Sequence, residues 1–170
     1  ALADGVSELR DILIAEDSEV LIRALTQLGV RIESSHDNLI VHGVGGAFPA
    51  SEADLDLRLS GTSIRFLAAA LAIGNGRYRL DGNQRMRERP IGDLLEALTG
   101  LGVACHTEFD NDCPPFIIEA NGLPGGATNV AGDRSSQFLS ALLMAAPYAT
   151  APIDITVTGE LQSKPFIDMT

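Results

Sequence analysis

The sequence has 170 residues, of which 45% are apolar, and carries a formal net charge of -11 with a pI near 4.5. This length accommodates one sizeable core or two small ones, and the acidic balance argues against a nucleic-acid partner, which would require a net basic surface. No apolar run reaches the ~20 residues of a membrane span, and ALADGVSELRD has acids where a secretory signal has basic and then apolar residues.

The first predicted element is an amphipathic helix over about 18–28, which ends at Gly29, a residue typical of a carboxy-terminal cap. Two short strands follow, VRIES and NLIVHG, joined by HDN, whose residues favour a turn. A second helix begins at a Ser/Thr-rich opening and runs through Phe66 to Ile73, and the alternating strand RYRLDG comes after it. Because this second helix is apolar nearly all round, we expect it to be interior.

The same order of elements occurs a second time. An amphipathic helix over about 91–101 ends at Gly102, and the strands VACHTE and FIIEA follow it. A second apolar helix runs through Phe138 to Ala146, and the strand IDITVTG completes the copy. The chain is therefore expected to contain two copies of one structural unit.

Direct alignment supports this repeat. EVLIRALTQLGVRIE aligns with GDLLEALTGLGVACHTE at an offset of 73, SGTSIRFLAAALA with DRSSQFLSALLMAA at 72, and Pro90 with Pro165 at 75. The period, roughly 73 to 77 residues, is longer than that of most solenoids. The predicted fold class is α/β (α+β), with repeated βαβαββ units whose buried helices share one core under outward-facing sheets.

The outer copies are incomplete in the sequence. A third copy begins at SKPFIDMT, and the first lacks the strand and buried helix that precede the corresponding segment of the second. We therefore expect residues 1–170 to form a single domain that is a piece of a longer polypeptide, and expect a ligand to need parts beyond it.

Cysteine and histidine spacing does not indicate a metal site. Cys105 and Cys113 form no CxxC pair and have no histidine at ligand spacing. Two cysteines without a framework fit a reducing cytoplasm, although a single disulfide stays open. For His36, His42 and His106, in or near predicted strands and turns, we expect surface or core packing.

The opening of each apolar helix is a candidate anion site. In SGTSIR, Gly61 allows close approach of a ligand, Ser60 and Thr62 supply hydroxyls, and Arg65 lies one helical turn further along. In DRSSQF, the equivalent side chains are those of Ser135, Ser136 and Gln137. An ordinary amino-terminal cap explains Ser/Thr enrichment equally well without a ligand.

The third candidate is the arginine cluster of RMRERP. Seven of the eleven arginines lie in 58–89, and a local positive region in an acidic chain indicates a small anionic ligand. The alternative is a solvated surface. Arg89 comes just before Pro90 and the positive end of the next helix, and the repeat places Lys164 before Pro165 in the same way. We expect these helix openings to present unpaired backbone N–H groups to a pocket for a doubly anionic ligand.

Together, RMRERPIGDLLEAL, SSQFLSALLMAAP, SKPFIDMT and the GTxxRF helix start resemble the first globular domain of the 3-phosphoshikimate 1-carboxyvinyltransferase (enolpyruvylshikimate-phosphate synthase) family, in the same order over essentially the whole chain. The resemblance implies two domains, each of three βαβαββ units, with the active site between them. It implies transfer of the enolpyruvyl group of phosphoenolpyruvate to the 5-hydroxyl of shikimate 3-phosphate, with release of phosphate and without a metal or organic cofactor.

The resemblance also implies roles for single residues. Those implied to contact shikimate 3-phosphate are Ser135, Ser136, Gln137 and Ser163. Those implied to bind phosphoenolpyruvate are Gly61, Thr62, Arg89 and again Gln137. Arg85 and Arg87 are expected to be scaffold or to contribute only to the field.

The chain departs from the family pattern in several places. Leu59 stands where the family usually has an asparagine, and Phe166 where some members have a tyrosine. The family's Gly-Asp-Lys-Ser…Arg segment and second domain are expected outside residues 1–170, so we expect this piece alone to be inactive. Two alternatives stay open: a noncatalytic anion-binding module, and the sister family that transfers enolpyruvyl to UDP-N-acetylglucosamine, which SSQF and SKPF disfavour.

Overall fold

The computed structural model describes residues 1–35 and 37–170; His36 lies outside the described residues. The helices are α1 (Glu16–Gln27), α2 (Gly61–Leu71), α3 (Gly92–Gly100), α4 (Ser136–Ala145) and α5 (Lys164–Asp168), with short 3-10 turns at Met86–Glu88 and Ala146–Tyr148. The strands are β1 (Val6–Leu9), β2 (Arg31–Ser35), β3 (Asn38–His42), β4 (Glu52–Asp56), β5 (Asn75–Asp81), β6 (Ala104–Thr107), β7 (Phe116–Asn121), β8 (Gly126–Ala131) and β9 (Ile153–Thr158). Helices and sheets are mixed, which confirms the predicted fold class.

The strands form three sheets that follow the repeat. The first has the order β1-β3-β2, the second β4-β5-β7-β6, and the third contains β8 and β9. In each copy the apolar helix lies in the connection between two paired parallel strands, α2 between β4 and β5 and α4 between β8 and β9. The strand that ends one copy pairs antiparallel with the hairpin of the next, as β5 does with β7 and β1 with β3. The repeat in the sequence is thus a repeat in the structure.

The two apolar helices pack against each other and form much of the core. In α2, Ile64, Leu67 and Leu71 are fully or almost fully buried. In α4, Phe138 and Leu142 are equally buried, but Leu143 and Met144 are exposed. The prediction of an interior helix is therefore right for the inner side of α4 and wrong for its outer side, which no described residue covers.

The first predicted helix is confirmed. α1 spans Glu16–Gln27, close to the expected 18–28, and its acidic first turn suits the positive end of the helix. Cys105 and Cys113 are free thiols. His42 is partly buried and its Nε2 lies 2.8 Å from Glu33 Oε1, while His106 is exposed. Within the described part of the chain, no helix has the length and apolarity needed to cross a membrane.

Candidate functional site

The first turns of α2 and α4 meet at a cleft of about 600 Å³. From α2 the cleft is lined by Thr62 and Phe66, and from α4 by Ser136, Gln137 and Ser140, among others. The turn before α5 and α5 itself contribute Ser163 and Phe166. Because α2 and α4 each follow the first strand of a parallel pair, the repeat brings their openings to the same place.

Arg65 is the centre of a side-chain network between the two helices. Its Nη1 donates to Gln137 Oε1 at 2.5 Å and to Ser135 Oγ at 3.3 Å. Its guanidinium lies over the Phe138 ring, 4.9 Å from the centroid. Gln137 Nε2 in turn donates to Thr62 Oγ1 at 2.9 Å. The network therefore links residues about seventy positions apart in the chain.

Arg89 enters the same region from the other side. A Cβ built on Gly61 would lie 2.7 Å from Arg89 Nη2 and 2.8 Å from Cζ, so only glycine lets the guanidinium lie against the start of α2. In residues 1–35 and 37–170, no hydrogen bond or ion pair involves the Arg89 side chain. The N–H donors of the Arg89 guanidinium are thus not used by any described residue.

The two arginines place positive charge close together without an acid. Burial, and to a lesser extent the charge of Arg89, lower the pKa of Arg65 to about 10. Arg65 still carries its charge at pH 7. The lining residues of the cleft include hydroxyls, an amide and apolar groups but, within the described ranges, no Asp or Glu side chain. An anion is the ligand that relieves this arrangement.

The helix openings differ in how their backbone N–H groups are used. The Ser135 hydroxyl caps α4 by accepting from the Gln137 N–H at 3.3 Å, so the ordinary capping interpretation holds there. Ser60 does not cap the backbone of α2, because its hydroxyl pairs with that of Ser63 at 2.7 Å. Among the described residues, no partner accepts from the N–H groups of Gly61 and Thr62.

The opening of α3 corrects the expectation that all these N–H groups are unpaired. The N–H groups of Ile91 and Gly92 donate to the Asp112 carbonyl oxygen at 2.8 and 3.1 Å. A loop of the same domain therefore fills the place of an anion. Arg89 is left as the only predicted anion contact of that opening.

Of the two arginines expected to be scaffold or to contribute only to the field, Arg87 is bound within the fold and Arg85 is not. Arg87 forms a two-point ion pair with Asp81, with Nη2 2.6 Å from Oδ2 and Nε 2.9 Å from Oδ1. The Arg85 side chain is exposed and makes no hydrogen bond or ion pair with any described residue. Lys164 is exposed, and it is not among the residues that line the cleft.

The structure thus brings all the predicted substrate contacts into one region. Thr62, Ser136, Gln137 and Ser163 line the cleft directly. Ser135 accepts a hydrogen bond from Arg65, and Gly61 and Arg89 contact each other beside the cleft. Of the two departures, Phe166 lies in the cleft wall with 61% of its surface exposed, and Leu59 lies just before α2 with 43% exposed.

The SGTSIR motif predicts Arg65 as part of a candidate anion site, but no substrate contact is predicted for it. The signal was present, because an arginine three residues after a Gly-Thr helix start faces the same side as that start. Its partners Ser135 and Gln137 belong to the next copy. Ser140 and Thr170, whose hydroxyls are 2.8 Å apart, also line the cleft and carried no signal in the sequence. Residues 1–35 and 37–170 contain no cluster of three His, Cys, Asp or Glu side chains suited to a metal ion.

Comparison with protein families gives one clear match. The model of the EPSP synthase (3-phosphoshikimate 1-carboxyvinyltransferase) family matches residues 1–170. Curated 3-phosphoshikimate 1-carboxyvinyltransferases of Marinomonas sp. and Shewanella denitrificans are 44% and 47% identical over 99% of this chain, and that of Herminiimonas arsenicoxydans is 46% identical over 100%. The chain spans about 40% of the length of these relatives.

Solved structures agree with this match. EPSP synthase from Acinetobacter baumannii superposes with a TM-score of 0.84 at 25% identity, over 96% of this chain and 37% of that one. The enolpyruvyl transferase NikO from Streptomyces tendae has a TM-score of 0.55 at 17% identity, over 83% of this chain and 30% of its own, a likeness of fold alone.

Proposed function

We propose, from the premise that this chain belongs to the EPSP synthase (3-phosphoshikimate 1-carboxyvinyltransferase) family, that its cleft holds the phosphate-bearing substrates of enolpyruvyl transfer. In this proposal the whole protein transfers the enolpyruvyl group of phosphoenolpyruvate to the 5-hydroxyl of shikimate 3-phosphate and releases inorganic phosphate. The family is one of transferases, and the reaction belongs to the shikimate pathway of aromatic amino acid biosynthesis.

The observation that carries this proposal is the pair of arginines at the start of α2. Arg65 and Arg89 are close enough for the charge of one to lower the pKa of the other, and neither has an acidic partner in the described parts of the chain. Both proposed substrates are anions with oxygens that only accept hydrogen bonds. Charge-assisted hydrogen bonds to such groups are shorter and stronger than neutral ones.

The proposed contacts divide between the two substrates. Ser135, Ser136, Gln137 and Ser163 hold shikimate 3-phosphate. Gly61, Thr62 and Arg89 hold phosphoenolpyruvate, and Gln137 lies between the two. What supports this division is that the first group comes from α4 and the turn before α5, while the second surrounds the start of α2. The two reactants would then lie side by side over the contact between Thr62 and Gln137.

The chemical contribution proposed for this chain is binding and orientation. Holding two reactants in line can contribute on the order of 7 to 11 kcal/mol to a reaction between them. The hydroxyl addition and the departure of phosphate from the tetrahedral intermediate also require proton transfers. We assign these to carboxylates of a second domain of the whole protein, which faces the cleft in this proposal. A cytoplasmic location fits the two free thiols.

The test is a phosphate-release assay on the whole protein with both substrates. Arg89→Ala should raise the KM for phosphoenolpyruvate roughly tenfold to hundredfold, the effect of losing a charge-assisted hydrogen bond. Arg85→Ala is the matched control, because that side chain is exposed and unpaired with any described residue. An equal KM for phosphoenolpyruvate in both variants would show that Arg89 does not bind this substrate.

The same assay separates the alternatives. Phosphate release with UDP-N-acetylglucosamine in place of shikimate 3-phosphate would indicate the sister activity. Tight binding of shikimate 3-phosphate without phosphate release from any acceptor would indicate a noncatalytic binding module.

A further inference from the structure

We propose that Arg65 is a positioning residue: it sets the direction of the hydrogen bonds at the mouth of the cleft, so that the side chains there offer donors to an anionic substrate. The inference rests on the proposed function of the cleft and adds a residue to which no substrate contact is assigned. It follows from which atoms can donate and which can accept.

The first step concerns Gln137. A guanidinium donates and never accepts, so the atom of Gln137 that lies 2.5 Å from Arg65 Nη1 is the amide oxygen. The amide nitrogen therefore faces the other way, toward Thr62 Oγ1 at 2.9 Å. With an apolar residue at position 65, the two orientations of the amide would differ little in energy. Arg65 thus fixes the orientation of this amide.

The second step concerns the hydroxyl of Thr62. Its oxygen accepts from Gln137 Nε2, so its own proton points elsewhere. Thr62 is exposed and lines the cleft, and the proton is available there as a donor. If the amide of Gln137 were reversed, its oxygen would take this proton, and Thr62 would offer the cleft a lone pair. A phosphate or carboxylate oxygen would be repelled by that lone pair.

The third step concerns Ser135. Its hydroxyl oxygen lies 3.3 Å from Arg65 Nη1 and 3.3 Å from the Gln137 backbone nitrogen, and accepts from both. A serine hydroxyl has two lone pairs and one proton. With both lone pairs engaged, the proton remains as its free hydrogen-bonding group. Arg65 therefore turns a hydroxyl on each helix into a donor for the substrate.

Arg65 acts through these residues and does not need to touch the substrate. Its Nη1 already serves two acceptors, and its guanidinium is held over the Phe138 ring at 4.9 Å. The Arg89 guanidinium, by contrast, has no hydrogen-bonded or ionic partner in the described residues and is left to contact the anion. The two arginines thus have different tasks, orientation for Arg65 and direct contact for Arg89.

The proposal is tested in the whole protein with Arg65→Met and Arg65→Lys. Methionine has a similar length and no donor, and lysine keeps donors without the planar fork. We expect Arg65→Met to weaken binding of inorganic phosphate and to raise both substrate KM values roughly tenfold to hundredfold, and Arg65→Lys to restore part of the loss. Arg85→Met is the matched control and should leave both unchanged.

A double-mutant cycle with Gln137→Ala distinguishes orientation from a general structural effect. If Arg65 acts through Gln137, the double variant should bind phosphate no more weakly than the worse single variant. Losses that add in full, or wild-type binding by Arg65→Met, would overturn the proposal. Melting temperatures identify unfolded variants, and if Arg65→Met does not fold, the cycle is run with Arg65→Lys.

The two hypotheses fail in different ways. Absence of phosphate release by the wild-type protein would contradict the proposed enzyme activity, while the cycle on inorganic phosphate binding would still decide the role of Arg65. An active wild-type protein with an additive cycle would contradict the role of Arg65 alone.

Discussion

A substitution at Gly61 should affect the stability of the domain and the proposed substrate binding in its cleft differently. A Cβ at this position would meet the Arg89 guanidinium, the far end of a flexible side chain, and not fixed backbone. The guanidinium can move away, so the cost in folding free energy should be small, and alanine is the better helix former by up to about 1 kcal/mol.

We therefore predict that Gly61→Ala leaves the melting temperature unchanged or slightly raised while the KM for phosphoenolpyruvate rises several-fold. Thermal unfolding and phosphate release measure the two effects. Gly74→Ala is the control, since a Cβ there would meet only ordinary contacts, the nearest at 3.5 Å from the Tyr78 hydroxyl oxygen. A variant that melts lower but keeps its phosphoenolpyruvate KM would contradict this account of Gly61.

At the residue scale, the sequence predicts types of side chain better than their partners. Hydroxyls and glycine at the helix openings follow from known capping and anion-binding preferences, and they lie at the cleft as expected. The link from Arg65 to Gln137 crosses from one copy of the repeat to the next, so no local pattern predicts it. The same is true of Asp112, whose carbonyl fills the α3 opening.

At the element scale, an ion-pair network stabilises the end of β5. Asp81 Oδ2 lies 2.6 Å from Arg87 Nη2 and 3.2 Å from Arg79 Nη2, and the Asp81 side chain is only 10% exposed. Burial works to raise the pKa of Asp81, but hydrogen bonds from Arg87 and the Gly82 N–H outweigh it and hold the pKa below its usual value. The charged form of Asp81 therefore stabilises the fold.

We predict that Asp81→Asn lowers the free energy of unfolding by about 1–3 kcal/mol at pH 7, because two guanidinium groups lose a partly buried partner. Since the pKa is depressed on folding, this contribution is present above the ordinary value of 3.8 and is lost as the pH falls through the folded value. Urea unfolding of both proteins from pH 7 to pH 3 should show the difference shrinking in the acid range.

The control for this network is Glu119→Gln. Glu119 lies 3.9 Å from Arg77, and both side chains are more than half exposed, so the change should be within about 0.5 kcal/mol. An Asp81→Asn effect as small as this, or one that does not depend on pH, would contradict a stabilising role for the network.

Two helix ends provide a matched test of the repeat. Gly29 after α1 and Gly102 after α3 have φ of +91° and +89°, and a Cβ on them would lie 2.9 Å from Pro49 Cβ and 3.1 Å from Pro124 Cγ. We predict that alanine at either position costs about 1–3 kcal/mol of unfolding free energy, from the left-handed backbone and the contact with proline.

Gly122→Ala separates these two causes. Its φ is +78°, but a Cβ there would meet nothing within 4 Å, so only the backbone cost should remain in denaturant titrations. Equal losses of unfolding free energy at Gly29, Gly102 and Gly122 would show that the contacts with proline contribute nothing to the cost. Losses near zero at Gly29 and Gly102 would contradict the role of glycine at both helix ends.

At the element scale, the sequence predicts the helices and hairpins well but not the strands that precede the apolar helices. In β4, EADLD, the acids leave Leu55 as the one fully buried side chain. β4 lies at the edge of its sheet and is paired on one side only, so it needs no continuous apolar pattern. β8, the strand before α4, is likewise mixed in composition. β1, which lies at the edge of the first sheet and precedes α1, has no buried residue. These strands are defined by their pairing and not by their own residues.

Over the whole molecule, the net charge of -11 and the two arginines beside the cleft have separate effects. At physiological salt, charges farther apart than about 8 Å are largely screened. In the proposed function, the surface acids therefore act weakly on a ligand already in the cleft, whereas Arg89 and the hydroxyls act on it at contact distance. The repeat explains how the cleft is formed, because two similar units place the openings of α2 and α4 next to each other. The side chains differ between the units, with Thr62 from α2 and Gln137 from α4.

We predict that the purified 170-residue chain binds shikimate 3-phosphate weakly and releases no phosphate when phosphoenolpyruvate is added. The described lining of the cleft supplies hydroxyls, an amide and apolar groups, which bind and orient but are poor proton donors and acceptors near neutral pH. The chain also spans about 40% of the length of its curated relatives. Calorimetry with shikimate 3-phosphate and a phosphate-release assay measure the two parts, with Arg65→Met as the binding-deficient comparison. Turnover above the rate without protein would show that this domain performs the proton transfers itself, and the division of labour between two domains would have to be abandoned.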